Sequence, residues 1–300
     1  MCSLRFLKKV SILLEWLPNP NHVALFAGKQ KGFFEEQGID LKIHKAPSTD
    51  PLQMLTTKQT DLIVYYLPRT LLAVSLGAPF CVIGKLIQEP LDCILVLSNS
   101  PFFELKDLKA KKIGIADSSY STLMLDTFFH NAGPKNHKKS IVNFDLTTAL
   151  LMGNVDAIYG CYWNVETEQI RSLGKETRYF TTTSFGVPAH EELVIVGIKG
   201  SPFTEKDFTD RFQRALNKSM NFAISEQKEA FKLYLSLNPE KEEKTINWEE
   251  KAWEKTIPIL PRSQDFSKSA IIKLSDWLLE KKIISTKVDP EEIFSLLRKE

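Results

Sequence analysis

The chain has 300 residues, of which 43% are hydrophobic, so it can bury one large core or two smaller ones. Its 39 basic and 37 acidic residues leave a formal net charge of only +2 at pH 7. Because binding to nucleic acid or to anionic membranes needs a clear basic excess, this balance argues against both as partners.

The N-terminal segment, in the sequence as written, does not match a targeting signal. An apolar run at residues 10–14 ends at Glu15, whereas a secretory signal has roughly 7–15 apolar residues and a small-residue cleavage site. The longest apolar stretch, residues 70–84, is interrupted by Gly77 and Pro79 and is too short to span a bilayer. We therefore expect no membrane insertion and a cytoplasmic location. If the N-terminus is truncated, we expect a periplasmic or lipid-anchored protein, with Cys2 as the lipidated residue.

Strand-like and helix-like segments alternate along the chain. Apolar runs predict strands at residues 10–16, 40–46, 61–66, 80–87, 93–99, 111–117, 140–145, 155–163 and 192–200. Segments of helical pattern predict helices at residues 23–38, 50–59, 68–76, 122–133 and 146–154, and the sequence after Glu205 is helical. Such alternation predicts an α/β fold in which parallel sheets carry helices on both faces.

The strand pattern runs through two βαβ halves, with the segments 93–99 and 192–200 at the joints between them. We therefore predict two doubly wound lobes joined by two hinge strands, with a cleft between the lobes. Lobe one is expected to contain residues 1–95 plus 195–300, and lobe two, inserted in it, residues 96–194. The charged segment 238–251 is typical of a solvated helix and loop, and we expect it to have no role in a site.

The loop after the first predicted strand carries Trp16, Asn19, Asn21 and His22. Loops at the carboxyl ends of parallel strands are where open α/β sheets bind ligands. An aromatic face beside amide donors and acceptors suits a polar heterocycle. The alternative is a capping loop, since Asn21 is a good N-cap and His22 is able to pack or cap.

Two further candidate regions follow later strands. Tyr65 and Tyr66 end the third strand, where alternation predicts that only one of them faces the cleft, and Arg69 is either an anion ligand or a surface residue. Ser118, Ser119, Tyr120 and Ser121 lie where a strand leads into a helix. Their hydroxyls and the helix start predict an anion cradle, and a simple serine N-cap is the alternative.

Aromatic and acidic residues complete the candidate site. Tyr162 and Trp163 end a strand and are placed to stack a ring, with Glu166 just beyond them. Glu192 begins the second joint strand, and we favour it over Glu191 as the carboxylate that meets an amino group. We find no catalytic triad, Walker-type, zinc-protease or C-x-x-C motif, so the sequence predicts recognition and no metal or catalytic residues.

The segment LLEWLPNPNHVALFAGKQKGFFEEQGIDLKI, together with KLIQEP, LKDLKAKKIGIADSS, LLMGNVDAIYGCYWN and GVPAHEELVIV, resembles the thiamine-pyrimidine branch of the type II periplasmic-binding-protein family. The resemblance covers most of the chain from Val10 to the C-terminal helices. It implies the type II periplasmic-binding-protein fold and a cleft that binds an aminopyrimidine, a precursor of thiamine. As a substrate-binding protein of this kind, the chain would deliver its ligand to an ABC permease, and no cofactor is expected.

The same branch contains a second kind of protein, the hydroxymethylpyrimidine phosphate synthase of thiamine biosynthesis. That enzyme resembles a binding protein that uses pyridoxal phosphate, its own active-site histidine and iron. The resemblance aligns its cofactor lysine with Tyr65, its donor histidine with Arg69 and its phosphate loop with residues 117–120. Its cysteine-rich iron motif has no counterpart near residues 183–193. Synthase activity is therefore the alternative function, and a sulfonate-type anion-binding protein of the same fold is a weaker one.

Overall fold

The computed structural model describes residues 7–45, 50–116, 120–132, 136–143 and 145–294. Within these ranges, ten strands form two five-stranded sheets. The first sheet has the spatial order β2 (Ile39–His44), β1 (Lys8–Leu13), β3 (Leu62–Tyr66), β10 (Leu193–Ile198) and β4 (Phe80–Ile87). The second has the order β7 (Lys138–Ile141), β6 (Lys112–Ile115), β8 (Ala157–Tyr162), β5 (Asp92–Leu97) and β9 (Thr177–Thr181).

Helices cover both sheets and make up most of the C-terminal third of the chain. They are α1 (Val23–Gln30), α2 (Pro51–Thr56), α3 (Leu67–Ser75), α4 (Tyr120–Ala132), α5 (Leu146–Leu151), α6 (Glu166–Ser172), α7 (Lys206–Ser225), α8 (Gln227–Ser236), α9 (Glu243–Thr256), α10 (Lys268–Glu280) and α11 (Pro290–Ile293). None of the helices in the described ranges has both the length and the apolar character needed to span a membrane.

The two sheets share one plan. In the first, β1 is parallel to β2 and β3, while β10 runs antiparallel to β3 and β4. In the second, β6 is parallel to β7 and β8, while β5 runs antiparallel to β8 and β9. The carboxyl ends of the parallel strands and the amino ends of β5 and β10 therefore meet along one edge of each sheet. This architecture confirms the predicted α/β type II periplasmic-binding-protein fold.

The chain crosses twice between the sheets. It leaves the first sheet after β4 through residues 88–91, and it returns through residues 182–192 before β10. All of β5 belongs to the second sheet, so the predicted boundary between residues 95 and 96 falls inside this strand. The precise limits of the two lobes stay a prediction.

The core explains why several elements were readable from the sequence. Every residue of β4 is buried, which accounts for a run from Phe80 to Ile87 in which Lys85 is the one charged side chain. In α7, Phe208, Phe212, Leu216 and Met220 recur every four residues and are all buried, so the helix is amphipathic. Helix α7 packs against α1 at Gly28, where an added Cβ would lie 1.7 Å from the Ser219 Oγ. The two backbones can approach this closely only because residue 28 has no side chain.

Three elements differ from the expectation. Helix α1 ends at Gln30 and not at residue 38, because the chain turns at Gly32, whose φ is +76°. Helix α6 and strand β9 were not predicted. Their sequences, ETEQIRS and TRYFT, are short and polar, and β9 is a half-exposed edge strand, so neither shows a clear hydrophobic period.

Candidate functional site

A cavity of about 510 Å³ opens where the carboxyl ends of the parallel strands of both sheets meet. Its wall comes from the segments after β1, β2, β3, β6, β7 and β8, from the two crossovers, and from α9 with the segment just before it. Seven aromatic side chains line it: Trp16, Tyr65, Tyr66, Tyr120, Tyr159, Tyr162 and Trp248. Six carboxyl groups line it as well: Glu15, Asp50, Asp92, Glu166, Glu192 and Glu249. The basic side chains in the same wall are Arg69, His190 and Lys241.

The loop after β1 is held by a capping interaction. Asn19 is the N-cap of a short 3₁₀ turn, and its side chain accepts a hydrogen bond from the Asn21 N–H at 2.9 Å. The Asn19 N–H donates to His22 Nδ1 at 3.2 Å, so this nitrogen carries the lone pair. The proton of a neutral His22 therefore lies on Nε2, which donates to the Glu15 carboxylate at 3.0 Å. Fully buried His22 thus orients Glu15, which itself lines the cavity.

The end of β3 brings two tyrosines to the cavity. Tyr65 and Tyr66 both line it, with ring centroids 5.2 Å apart, contrary to the expectation that only one would. Alternation stops here because the strand ends at Tyr66 and α3 begins at Leu67. The Tyr65 hydroxyl donates to Asp50 Oδ1 at 3.2 Å, and burial raises the Tyr65 pKa above its usual range.

Arg69 reaches across the cleft. Its guanidinium lies 5.0 Å from the ring centroid of Tyr66 and 4.6 Å from that of Tyr120. Since Tyr120 begins α4 in the second lobe, Arg69 makes a cation–π contact between the lobes. Arg69 therefore lines the cavity, and its role as an anion ligand stays a prediction.

Glu192 lies on the second crossover and contacts the first. Its Oε2 accepts a hydrogen bond from the Leu91 N–H at 2.8 Å, and its own N–H donates to the Ile87 oxygen at 3.1 Å. Burial raises the pKa of Glu192 to about 7, against the opposing effect of the backbone donors. Glu191, in contrast, turns away from the cavity to pair with Lys85 at 3.4 Å. Glu192 therefore lines the cavity, and its role as the carboxylate that meets an amino group stays a prediction.

Two more buried carboxyl groups share this end of the cavity. Burial, and then the neighbouring Glu192 carboxylate, raise the pKa of Asp92 to about 8. Burial raises the pKa of Glu166 to about 7, although the Tyr162 N–H donates to its Oε2 at 2.7 Å. A carboxyl group that titrates near neutral pH is able to act as donor and acceptor at once.

Hydroxyl and imidazole groups add further polar contacts. The buried Tyr162 hydroxyl and Thr182 Oγ1 have no hydrogen-bond partner among the described residues. His190 Nδ1 lies 2.8 Å from the Pro188 oxygen, so Nδ1 carries the proton and Nε2 is an acceptor. Burial lowers the pKa of His190, which favours this neutral form.

Several predicted site residues lie elsewhere. Asn21 and His22 are buried behind the first loop, and the Asn21 oxygen accepts from Asn164 Nδ2 at 2.7 Å. Trp163 stacks on Tyr179 and donates through Nε1 to the Pro90 oxygen at 3.1 Å. These three side chains do not line the cavity, because local capping and packing turn them inward or toward the crossover. Ser118 and Ser119 lie outside the described residues, and Ser121 lines the cavity.

The charged segment after α8 is part of the site, contrary to the expectation for residues 238–251. Lys241, Thr245, Trp248 and Glu249 line the cavity. Thr245, Trp248 and Glu249 have the i, i+3, i+4 spacing of one helix face, a signal that the high charge of the segment obscured. Asp50, Asp92 and Thr182 were also not predicted; Asp92 is recognisable only as a charge placed directly before an apolar strand.

The site offers aromatic stacking surfaces beside carboxyl groups that accept hydrogen bonds. These features favour a flat ligand that is rich in hydrogen-bond donors. Among the described residues, no cluster of three or more His, Cys, Asp or Glu side chains is arranged to hold a metal.

Comparison with known proteins gives the family. The model of the family described as "NMT1/THI5 like" matches residues 19–230. A putative thiamine biosynthesis protein of Haemophilus influenzae is 34% identical over 86% of this chain and 83% of its own length. A formylaminopyrimidine-binding protein of Halalkalibacterium halodurans is 27% identical over 77% of this chain and 71% of its own.

An enzyme and a solved structure are also similar. The 4-amino-5-hydroxymethyl-2-methylpyrimidine phosphate synthase THI5 of Saccharomyces cerevisiae is 26% identical over 77% of this chain and 72% of its own. The periplasmic aliphatic sulphonate-binding protein SsuA of Escherichia coli superposes with a TM-score of 0.71 at 18% identity, over 97% of this chain and 94% of its own. The second likeness shows the fold alone. The chain belongs to the NMT1/THI5-like family, in the thiamine-pyrimidine branch of the periplasmic-binding-protein fold.

Proposed function

We propose that this protein binds an aminopyrimidine precursor of thiamine in the cavity and carries it to a recipient. The observation that carries the proposal is the position of Glu192, a buried carboxyl group in an aromatic cavity, held by the backbone of the opposite crossover. The formylaminopyrimidine-binding protein among the relatives supports the same ligand class.

The expected pose follows from the lining residues. The ring stacks against Trp16 and Tyr162, and the exocyclic amino group donates to Glu192. Asn19 meets the other edge of the ring. If Glu192 or Asp92 holds its proton, the carboxyl donates to a ring nitrogen while its second oxygen accepts from the amino group.

The synthase alternative fits the site residues less well. The position that the resemblance assigns to the cofactor lysine holds Tyr65. A tyrosine has no amine with which to form an imine, and the Tyr65 hydroxyl donates a hydrogen bond to Asp50. The lysine that does line the cavity, Lys241, is paired with buried Glu249 at 2.6 Å. The position assigned to the donor histidine holds Arg69, which has no imidazole to give. The residues present therefore do not fit pyridoxal phosphate in the manner of that enzyme.

The sulfonate alternative conflicts with the charge of the site. Among the described lining residues, the six carboxyl groups outnumber the basic groups, and the ammonium of Lys241 is already matched by Glu249. An anion placed here would be repelled by each of these carboxyl groups that is ionised; the raised pKa values of Asp92, Glu166 and Glu192 leave these three only partly ionised at neutral pH. A neutral or protonated aminopyrimidine meets no such repulsion.

Calorimetric titration tests the proposal. The protein should bind formylaminopyrimidine and 4-amino-5-hydroxymethyl-2-methylpyrimidine, and should bind neither pyridoxal phosphate nor an alkanesulfonate. Saturable binding of the sulfonate without binding of either pyrimidine would refute the proposal.

The recipient is the finer part of the proposal. We propose delivery either to an ABC permease or, from a cytoplasmic location, to a soluble acceptor of thiamine biosynthesis. Photo-cross-linking in cells from exposed Leu17, which is 59% exposed beside the cavity loop, separates the two. An adduct with a membrane permease supports the importer, whereas an adduct with a soluble enzyme supports the cytoplasmic carrier.

A further inference from the structure

One wall of the cavity comes from a part of the chain that the family model does not cover. The match to that model ends at residue 230, whereas Lys241, Thr245, Trp248 and Glu249 line the cavity. Features shared by the family model therefore do not define this wall. Ligand selectivity that is specific to this chain is therefore expected to arise from this wall.

Lys241 is built into the wall by two strong contacts. Its Nζ donates to Glu249 Oε1 at 2.6 Å and to the Pro18 oxygen at 2.9 Å. Glu249 is 1% exposed and also accepts a hydrogen bond from the Tyr234 hydroxyl at 3.2 Å. The first contact fixes the ammonium on α9, and the second ties it to the loop that carries Trp16.

The far end of α9 is anchored to the same loop. Asn164 Nδ2 donates to Thr256 Oγ1 at 2.8 Å and to the Asn21 oxygen at 2.7 Å, and all three side chains are buried. Helix α9 therefore runs beside the first loop and is held at both ends. A rigid wall of this kind keeps its side chains at fixed positions relative to a ring stacked on Trp16.

The wall also has hydrogen-bonding capacity left. An ammonium group has three hydrogens, and Glu249 and Pro18 use two of those on Lys241. The ring centroid of Tyr234 lies 5.5 Å from the same Nζ, so a ligand oxygen competes with this ring face for the third hydrogen. The cavity of about 510 Å³, which Glu192 and the 241–249 segment both line, is within the range that holds a substituted heterocycle.

We propose that the 241–249 wall selects the substituent on the bound aminopyrimidine, with Lys241 donating its third hydrogen to an oxygen acceptor on that substituent. The ligand class is then an aminopyrimidine that carries a hydroxymethyl or formylamino group. This inference rests on the proposed function, since it concerns the same cavity and the same ring.

Two ligands that differ by one oxygen test the inference. 4-Amino-5-hydroxymethyl-2-methylpyrimidine has the acceptor, and 4-amino-2,5-dimethylpyrimidine lacks it. The wild-type protein should bind the first about tenfold more tightly, the size of one hydrogen bond to a charged group. In the double variant Lys241→Met with Glu249→Gln, which leaves no carboxylate without its cation, this preference should fall to within about twofold.

Matched variants separate recognition from packing. Lys244→Met with Glu242→Gln, a pair on the exposed side of the same segment, should keep the preference. A preference that stays tenfold in the Lys241 variant would overturn the inference and leave the proposed function intact. If both ligands also bound more weakly by the same factor, Lys241 would only hold the loop. Failure of the wild-type protein to bind either pyrimidine would overturn both.

Discussion

Oε2 of Glu192 accepts a hydrogen bond from the Leu91 N–H at 2.8 Å, so a side chain of one crossover is bonded to the backbone of the other. The same carboxyl group lines the cavity. The proposed ligand contact and the connection between the lobes therefore meet in one residue. Any movement of the lobes about the crossovers changes the surroundings of the carboxyl group that we propose recognises the ligand.

Replacing Glu192 by glutamine should weaken aminopyrimidine binding by about 1–3 kcal/mol, because the amide cannot supply both the charge and the paired hydrogen bonds of the carboxyl group. Calorimetry measures the change. Glu191→Gln is the control, since its side chain faces Lys85 and not the cavity, and it should bind like the wild-type protein. Equal losses in the two variants would remove Glu192 from the site.

The stability of the ligand-free protein should decrease as pH rises. The Asp92 pKa is raised by burial from 3.8 to about 8, and the Glu192 and Glu166 pKa values from 4.5 to about 7. Between these limits the unfolded chain loses protons that the folded chain keeps, so each group lowers the free energy of unfolding by at most about 1.4 kcal/mol per pH unit.

Urea denaturation from pH 5 to pH 8 measures that slope. Asp92→Asn should make it shallower, because the amide does not titrate, while Asp276→Asn, in an exposed pair with Lys287, should leave it unchanged. A stability that rises with pH over this interval would contradict the assignment of raised pKa values.

His22→Leu should destabilise the protein by about 2–3 kcal/mol, the cost of removing the donor that satisfies a buried carboxylate. Glu15 would lose the hydrogen bond from Nε2, so ligand affinity should fall as well, although His22 does not line the cavity. His130→Leu, on an exposed site of α4, should change neither quantity. A stable His22→Leu variant with unaltered affinity would show that the Glu15 side chain needs no positioning.

Gly28→Ala should cost about 1–3 kcal/mol through overpacking, since its Cβ would lie 1.7 Å from Ser219 Oγ and 2.5 Å from Ser219 Cβ. Ser219→Gly in the same chain should restore part of the loss, because it removes both atoms. Denaturant titration of the single and double variants gives the coupling. If the losses of unfolding free energy in the two single variants simply add in the double variant, α1 and α7 have moved apart and the clash between residues 28 and 219 is absent.

The sequence predicted the strands and their edge well because buried strands are apolar and the loops that follow them are not. It placed Trp16, Tyr162 and Glu192 at that edge, where the structure has them lining the cavity. It did not distinguish which polar side chains turn inward. Asn21 and His22 belong to the same loop as Trp16, and only the capping geometry sends them behind it.

The wall formed by α9 was missed for a different reason. Its sequence is rich in Lys and Glu, which is typical of a solvated face, and only burial of Glu249 by Tyr234 and Lys241 makes it part of the site. Contacts over this distance along the chain, such as Lys241 with Pro18, leave no local pattern in the sequence. The position of Asp92 in the cavity wall likewise depends on how the two sheets meet.

Native mass spectrometry of the protein purified from its own cells is the most direct test of the central claim. The account predicts a bound mass equal to that of an aminopyrimidine, which is lost in Glu192→Gln and retained in Glu191→Gln. Bound pyridoxal phosphate, a bound sulfonate, or a chain whose mass reveals a consumed histidine would contradict it.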